Sequence, residues 1–253
     1  MKRKHYLVIG GTRGIGRIIA QSIGKKNHTL SVIGRRSPIT TDRKRENVHY
    51  WLLDISQKKK LASHIHNIIE HNGKISHLIF CQRYRGANRD WDGELNVSLT
   101  ATKKIIELVS DYFDDTLERS IVIISSIASS LVALEQPVSY HVAKAGLNHM
   151  VRYFAVVLGP KGIRVNSISP STVLKDESKE YYIHNKKLQN LYKHIIPLGR
   201  MGTAQEISDI VMYLCSPTSS YITGQNIIAD GGISLLSHEA LARSLTSLTH
   251  EKL

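Results

Sequence analysis

Short runs rich in β-branched and aromatic residues alternate with segments whose apolar residues recur every three or four positions, and this alternation constrains the fold more than any other feature. The runs are Tyr6-Leu7-Val8-Ile9, Leu30-Ser31-Val32-Ile33, Tyr50-Trp51-Leu52-Leu53, Leu78-Ile79-Phe80, Ile121-Val122-Ile123-Ile124, Val165-Asn166-Ser167-Ile168 and Asn226-Ile227-Ile228-Ala229. Between them stand Ile15, Ile18, Ile19 and Ile23, then Leu61, Ile65, Ile68 and Ile69, then Ile105, Ile106, Val109 and Tyr112, each set covering one helix face. Strand, helix, strand in this order implies crossover connections and parallel pairing. The spacing predicts an α/β, Rossmann-like domain: a doubly wound parallel sheet of about seven strands with helices on both faces.

No Pro/Ser/Gly-rich linker or internal repeat divides the 253 residues, so residues 1–253 read as one domain, and 42% hydrophobic content suffices for a sizeable core. Residues 174–196 form a polar insert after the sixth run, at the sheet edge where ligands sit, a position suited to a lid. Residues 236–253 make an Ala/Leu/Ser-rich tail with Leu241, Leu245 and Leu248 at helical spacing, fit to dock on a sister subunit or to fray. No run of eighteen apolar residues occurs, and the basic start Met1-Lys2-Arg3-Lys4 leads to only a short apolar stretch, so neither a membrane span nor secretion is expected. With Cys81 and Cys215 as the only cysteines, no disulfide framework is available, and a cytoplasmic setting is the expectation.

A formal charge of +13 raises nucleic acid as a partner, because lysine and arginine release counterions from phosphates. The cations are scattered, however, through clusters such as Arg43-Lys44-Arg45 and Lys58-Lys59-Lys60, with no nucleic-acid-binding motif beside them. A solvated basic surface is the reading, with no dedicated nucleic-acid site. His64, His66 and His71 share one helical stretch but lack ligand partners at credible spacing, and no catalytic metal is expected.

The first run opens into Gly10-Gly11-Thr12-Arg13-Gly14-Ile15-Gly16 and then a helix. A turn without side chains lets the backbone approach a pyrophosphate held at the positive end of that helix. The second run ends at Gly34-Arg35-Arg36, where an NAD site of this architecture presents a carboxylate to the ribose hydroxyls. Arg35, with Arg36 beside it and Arg13 in the loop, offers charge-assisted bonds to a 2′-phosphate instead, so the expected cofactor is NADP(H). After the fifth run come Ser125-Ser126 and then Tyr140-His141-Val142-Ala143-Lys144, which opens a helix. Tyrosine and lysine at i and i+4 share a face, and an ammonium favours the phenolate of a group that otherwise titrates near pH ~10.

These motifs in this order resemble the short-chain dehydrogenase/reductase family from Tyr6 to about Gly232, in particular its NADP-linked 3-oxoacyl-carrier-protein reductases. The resemblance adds Leu53-Asp54-Ile55, Leu95-Asn96-Val97, Gly162-Ile163-Arg164-Val165-Asn166 into Pro170, and Ile222-Thr223-Gly224-Gln225 to Asp230-Gly231-Gly232. It implies that Tyr140 is the acid or base at a carbonyl or alcohol and that Ser126 bonds the carbonyl oxygen, with Ser125 as a rival. Lys144 then holds the nicotinamide ribose beside Tyr140, and Asn96 organises a proton relay. Asp54, Ile55 and Cys81 frame the adenosine, while Pro170, Thr172 and Val173 meet the carboxamide edge. A small-molecule or carrier-bound carbonyl substrate and a homo-oligomer, tetramer or dimer, are implied as well; an anionic sugar or hydroxy-acid substrate and a regulator without turnover are the alternatives.

The chain departs from the family where Asn-Asn-Ala-Gly usually follows the fourth strand. It has Cys81-Gln82-Arg83-Tyr84, then Arg85 and Arg89. Large residues in place of small ones must reshape that floor. Arg83, Arg85 and Arg89 are candidates for binding a carboxylate or phosphate on the substrate, against a reading as solvated cations.

Overall fold

A computed structural model of the chain describes residues 3–86 and 90–246. The first half builds β1 (His5–Ile9), α1 (Gly14–Gly24), β2 (Thr29–Gly34), β3 (Val48–Leu52), α2 (Lys58–Asn72) and β4 (His77–Phe80). It continues through α3 (Trp91–Leu95), a π-helical turn (Asn96–Thr100), α4 (Ala101–Val109), β5 (Arg119–Ile124), α5 (Val138–Leu158) and β6 (Ile163–Pro170). The remainder is β7 (Val173–Leu174), α6 (Lys179–His184), α7 (Lys186–Ile195), β8 (Gly202–Thr203), α8 (Ala204–Leu214), β9 (Asn226–Ala229) and α9 (His238–Leu245).

Alternation along each strand sends side chains to both faces of the sheet. On β1, Leu7 and Ile9 join Ile65 of α2, Ile105 of α4 and Val151 of α5, while Tyr6 and Val8 join Ile19 and Ile23 of α1 and Val211 of α8. Burial on both faces explains why the strands read as nearly continuous apolar runs. All seven pair in parallel in the order β3-β2-β1-β4-β5-β6-β9, as the alternation requires. The order reverses at β1, so the loops leaving β1 and β4 part there and open a crevice at the strands' carboxyl ends.

Two local expectations need correction. The third strand begins at Val48 and ends before Leu53, because it follows the register of β2 from Leu30 opposite Val48. Tyr112 lies beyond α4 and is 38% exposed. Asn96 stands at the start of the π-helical turn between α3 and α4. The polar insert folds as α6 and α7, neither with a buried residue, and is tied down by the short β7–β8 ladder. In the tail, α9 carries Leu241 and Leu245, and Leu248 lies outside the described residues. No helix among the described residues is long and apolar enough to cross a membrane.

Two histidines, the first residues of β1 and β4, are held as neutral groups. His5 Nδ1 faces the Gly73 carbonyl at 2.8 Å, so it carries the proton, and Nε2 accepts from Ser31 Oγ at 2.9 Å. His77 is fully buried against Tyr6 and reaches Ser120 Oγ at 2.9 Å. Burial above all holds both imidazoles below their usual range, His77 well below it. The unfolded chain therefore takes up protons first, from about pH 6.5 downward. Stability is expected to fall as pH drops from 7 to 5, by up to about 1.4 kcal/mol per pH unit for each imidazole. Urea midpoints across that range check this, and His77→Asn should flatten the slope.

Candidate active site

The carboxyl ends of β1, β2, β4, β5 and β6 open into one cavity of ≈ 370 Å³. Its floor begins at Gly10, whose φ of 80° and closeness to the loop after β4 admit no side chain: a Cβ there would lie 2.7 Å from the Gln82 backbone. Thr12 is buried beneath the loop, and Gly16 packs on the Gly10 carbonyl and Cys81. Gly14, at the first turn of α1, donates its N–H to Glu177 Oε1 at 2.8 Å. One turn further, Arg17 bonds Asp176 and Asp42, each at 2.6 Å. The stretch after β7 thus lays a carboxylate on an amide at the positive end of this helix.

Arg13 donates to the carbonyls of Thr12 and Ser37, at 2.6 and 3.1 Å, which fixes it beside the loop leaving β2. Arg35 and Arg36 are exposed on that loop and line the same cavity. The carboxylates on the described wall are Asp54 and Glu177. Asp54 is turned back onto Ser56, accepting from its N–H at 3.0 Å and its hydroxyl at 2.7 Å. Ile55 is buried beside it.

At the other end, α5 brings Tyr140 and Lys144 onto the cavity wall. Lys144 is only 4% exposed and donates to the Ile124 carbonyl at 3.0 Å, with its ammonium 5.5 Å from the Tyr140 ring centre. Burial brings its pKa down to about 8, against the pull of the Glu94 charge, which raises it. Glu94 is itself buried and accepts from Ser98 at 2.6 Å. The two serines after β5 differ in what they hold. Ser125 is buried and donates to the Lys144 carbonyl at 3.1 Å, whereas Ser126 accepts from Ala128 N–H at 3.2 Å and so keeps its own proton to give.

The unusual segment after β4 is accommodated by compensating glycines. Tyr84 hydrogen-bonds the Asp90 carboxylate, which also caps α3 at Gly93 N–H (2.9 Å). A Cβ at Gly86 or Gly93 would run into the Tyr84 phenol, so glycine at both positions makes room for it. Gln82 donates to Thr102 at 2.7 Å. The Arg83 guanidinium carbon lies 5.4 Å from the Tyr140 ring centre, and its Nη2 donates to Gln136 at 3.0 Å.

Of the expected site residues, Gly10, Thr12, Arg13, Gly14, Ile15, Arg35, Arg36, Asp54, Ile55, Cys81, Arg83, Arg85, Ser126, Tyr140, Lys144, Pro170 and Val173 line this cavity. Three do not: Gly16 packs behind the loop on the Gly10 carbonyl and Cys81, Val97 takes the wall position beside Asn96, and Thr172 is exposed outside the lining set while Ser171 and Val173 flank it. Arg89 lies outside the described residues. Burial pushes the Cys81 thiol up to about 12, so it stays protonated and is no nucleophile at neutral pH. Lys175 and Glu177 reach the cavity from the polar insert, and Glu94 lies behind Lys144; none was singled out from the sequence, because no spacing rule ties them to the glycine loop or to Tyr140. Among the described residues no group of three or more His, Cys, Asp or Glu could hold a metal.

A parallel sheet with an anion-accepting glycine loop at its switch point and a Tyr–Lys pair across the cavity defines a dinucleotide-binding oxidoreductase. Residues 10–234 match the family model described as enoyl-(acyl carrier protein) reductase. A 3-oxoacyl-[acyl-carrier-protein] reductase FabG of Aquifex aeolicus is 29% identical over 250 residues, covering 92% of this chain and 98% of its own. An NADP-dependent mannitol dehydrogenase of Hypocrea jecorina is 37% identical over 148 residues, 58% of this chain and 54% of its own. The structure of a short-chain type dehydrogenase/reductase from Mycobacterium ulcerans matches with a TM-score of 0.82 at 23% identity, over 96% of this chain and 98% of that one. The chain belongs to the short-chain dehydrogenase/reductase family, whose members use a nicotinamide cofactor on CH–OH and C=O groups.

A dinucleotide phosphate placed on this loop would meet Glu177 at the Gly14 amide. Glu177→Gln, which removes the charge from that bond, is expected to tighten dinucleotide binding about tenfold, the weight of one charge-assisted hydrogen bond. Fluorescence titration reads this; an unchanged Kd would mean that the carboxylate leaves the loop at no cost.

Proposed function

We propose that the protein interconverts a ketone and a secondary alcohol with NADP(H), in the cytoplasm and as a homo-oligomer. The observation that carries the reading is one cavity with Tyr140, Lys144 and Ser126 at one end and Arg13, Arg35 and Arg36 at the other, where Asp54 is turned back onto Ser56. Gly14 and the start of α1 would hold the pyrophosphate, and Arg13, Arg35 and Arg36 the 2′-phosphate. Asp54, Ile55 and Cys81 would border the adenosine, with Pro170 and Val173 at the carboxamide. NADPH, when bound, supplies the hydride. Tyr140 gives its phenolic proton to the carbonyl oxygen, and Ser126 donates a hydrogen bond to the same atom. Lys144, charged below about 8, holds positive charge beside that phenol as the proton leaves. Asn96, at the start of the π-helical turn beside the lining residue Val97, would organise a proton relay. The exposed Tyr153, Val156 and Val157 of α5 support the homo-oligomer.

Likeness to the FabG reductase supports a 3-oxoacyl thioester as the ketone. The cations beside Tyr140 favour a second reading, an anionic sugar or hydroxy acid and its ketone. Titration with NADPH and NADH, followed by NADPH absorbance over a panel of oxoacyl thioesters, sugars and oxo acids, tests both. No binding of either dinucleotide overturns the enzyme reading. Binding of NADPH with no turnover favours a regulator without catalysis.

A further inference from the structure

We propose that Arg83, with Lys175 beside it, selects a ketone that carries its own anion, a carboxylate or a phosphate. This rests on the reductase reading above and names the substrate class of that site.

Position is the first argument. The loop after β4 is pinned on both sides of Arg83, by Gln82 on Thr102 and by Tyr84 on Asp90. The guanidinium is therefore presented from an anchored backbone over the face of Tyr140, the ring that handles the reacting oxygen. A short substrate can meet the Tyr140 hydroxyl and the Arg83 fork together. Its partner Gln136 is a neutral carboxamide, which orients the guanidinium without neutralising it.

Charge is the second argument. Among the described residues, Arg83, Arg85 and Lys175 make no ion pair. The nearby carboxylates are taken up elsewhere: Asp90 by Tyr84 and Gly93, Glu94 by Ser98, and Glu177 by Gly14. Lys175 is crowded accordingly, its ammonium held below the usual range by burial and then by the charges of Arg83 and Arg85. An anion entering the cavity meets Arg83 and Arg85, exposed at its rim, and the half-buried Lys175, none of them neutralised by a carboxylate. The phosphates of the cofactor would leave Arg83 for the substrate, because Gly14, with the Lys175 stem against it, and the arginines after β2 would serve them.

The test compares ketones that differ in charge alone: an oxo acid, its methyl ester, and the corresponding phosphate-bearing ketone, each with NADPH. The native protein should favour either anion over the ester by at least about tenfold in kcat/KM, the worth of a charge-assisted, bidentate bond. Arg83→Gln should collapse that ratio toward one, and Arg83→Lys should restore part of it. Which anion gives the larger ratio separates carboxylate from phosphate. A ratio that Arg83→Gln leaves unmoved overturns the proposal, and so does an NADPH Kd that weakens by the same factor as the acid.

Calorimetric binding of the oxo acid to the NADP⁺-loaded protein separates the two layers of the argument. Anion binding that is lost in Arg83→Gln, with no ketone turned over, keeps the anion site and sinks the reductase reading. Turnover of the ester as fast as the acid keeps the reductase and sinks the anion site.

Discussion

Replacing Tyr140 with phenylalanine is expected to lower kcat about 10³-fold, with a much smaller change in NADPH affinity. The substitution removes one hydroxyl and keeps the ring that both Lys144 and Arg83 approach, so the cavity wall and the charges around it persist. What the proposed role would lose is the proton donor, and positioned acid catalysis is worth about 10²–10⁴ in rate. Ser126 cannot replace it. Its hydroxyl donates a hydrogen bond, but a serine does not give up its proton near neutral pH, and the buried Lys144 is engaged on the Ile124 carbonyl. The loss belongs in kcat because the hydroxyl matters most as charge grows on the oxygen. NADPH absorbance reads the rate, and fluorescence titration shows that the variant still takes up cofactor. Turnover within about tenfold of the native rate would remove Tyr140 from acid catalysis, since no functioning general acid is worth so little.

The sequence reports this fold well because burial on both faces leaves each strand as an apolar run and each helix as a stripe, signals that survive without any tertiary information. Glycines at Gly10 and Gly14 report equally well, since positive φ is a local demand. What escapes is whatever depends on two distant segments meeting. Tyr84 in place of a small residue reads as a disruption until Gly86 and Gly93 are seen to clear its path and Asp90 to bind it. Glu177 lies 163 positions from Gly14, and no periodicity joins them. Asn96 and Thr172 are a subtler case: their motifs are present, yet Val97 in the π turn and Val173 at the start of β7 are the neighbours that line the cavity. Motif order therefore locates a site to within a residue or two, and the backbone between motifs decides the side chain.

That limit bears least on the arginines after β2, and they carry the second large effect: Arg35→Asp should reverse cofactor choice from NADPH to NADH. Arg35 is exposed, lines the cavity, and makes no ion pair among the described residues, so it is available to an incoming phosphate. Arg13, tied to the Thr12 and Ser37 carbonyls, and Arg36 stand with it. Losing one charge-assisted bond to a dianion costs about 1.5–3 kcal/mol, or roughly ten- to a hundredfold in NADPH affinity. An aspartate at the same place goes further, because it repels the 2′-phosphate and accepts hydrogen bonds from the two ribose hydroxyls that NADH presents. The ratio of the NADH and NADPH dissociation constants measures the outcome directly. A ratio that moves by less than about threefold, below the weight of one such bond, would assign the 2′-phosphate to Arg13 or Arg36. A native protein that already prefers NADH would withdraw all three arginines from cofactor selection. They would then join the cationic wall that the substrate meets.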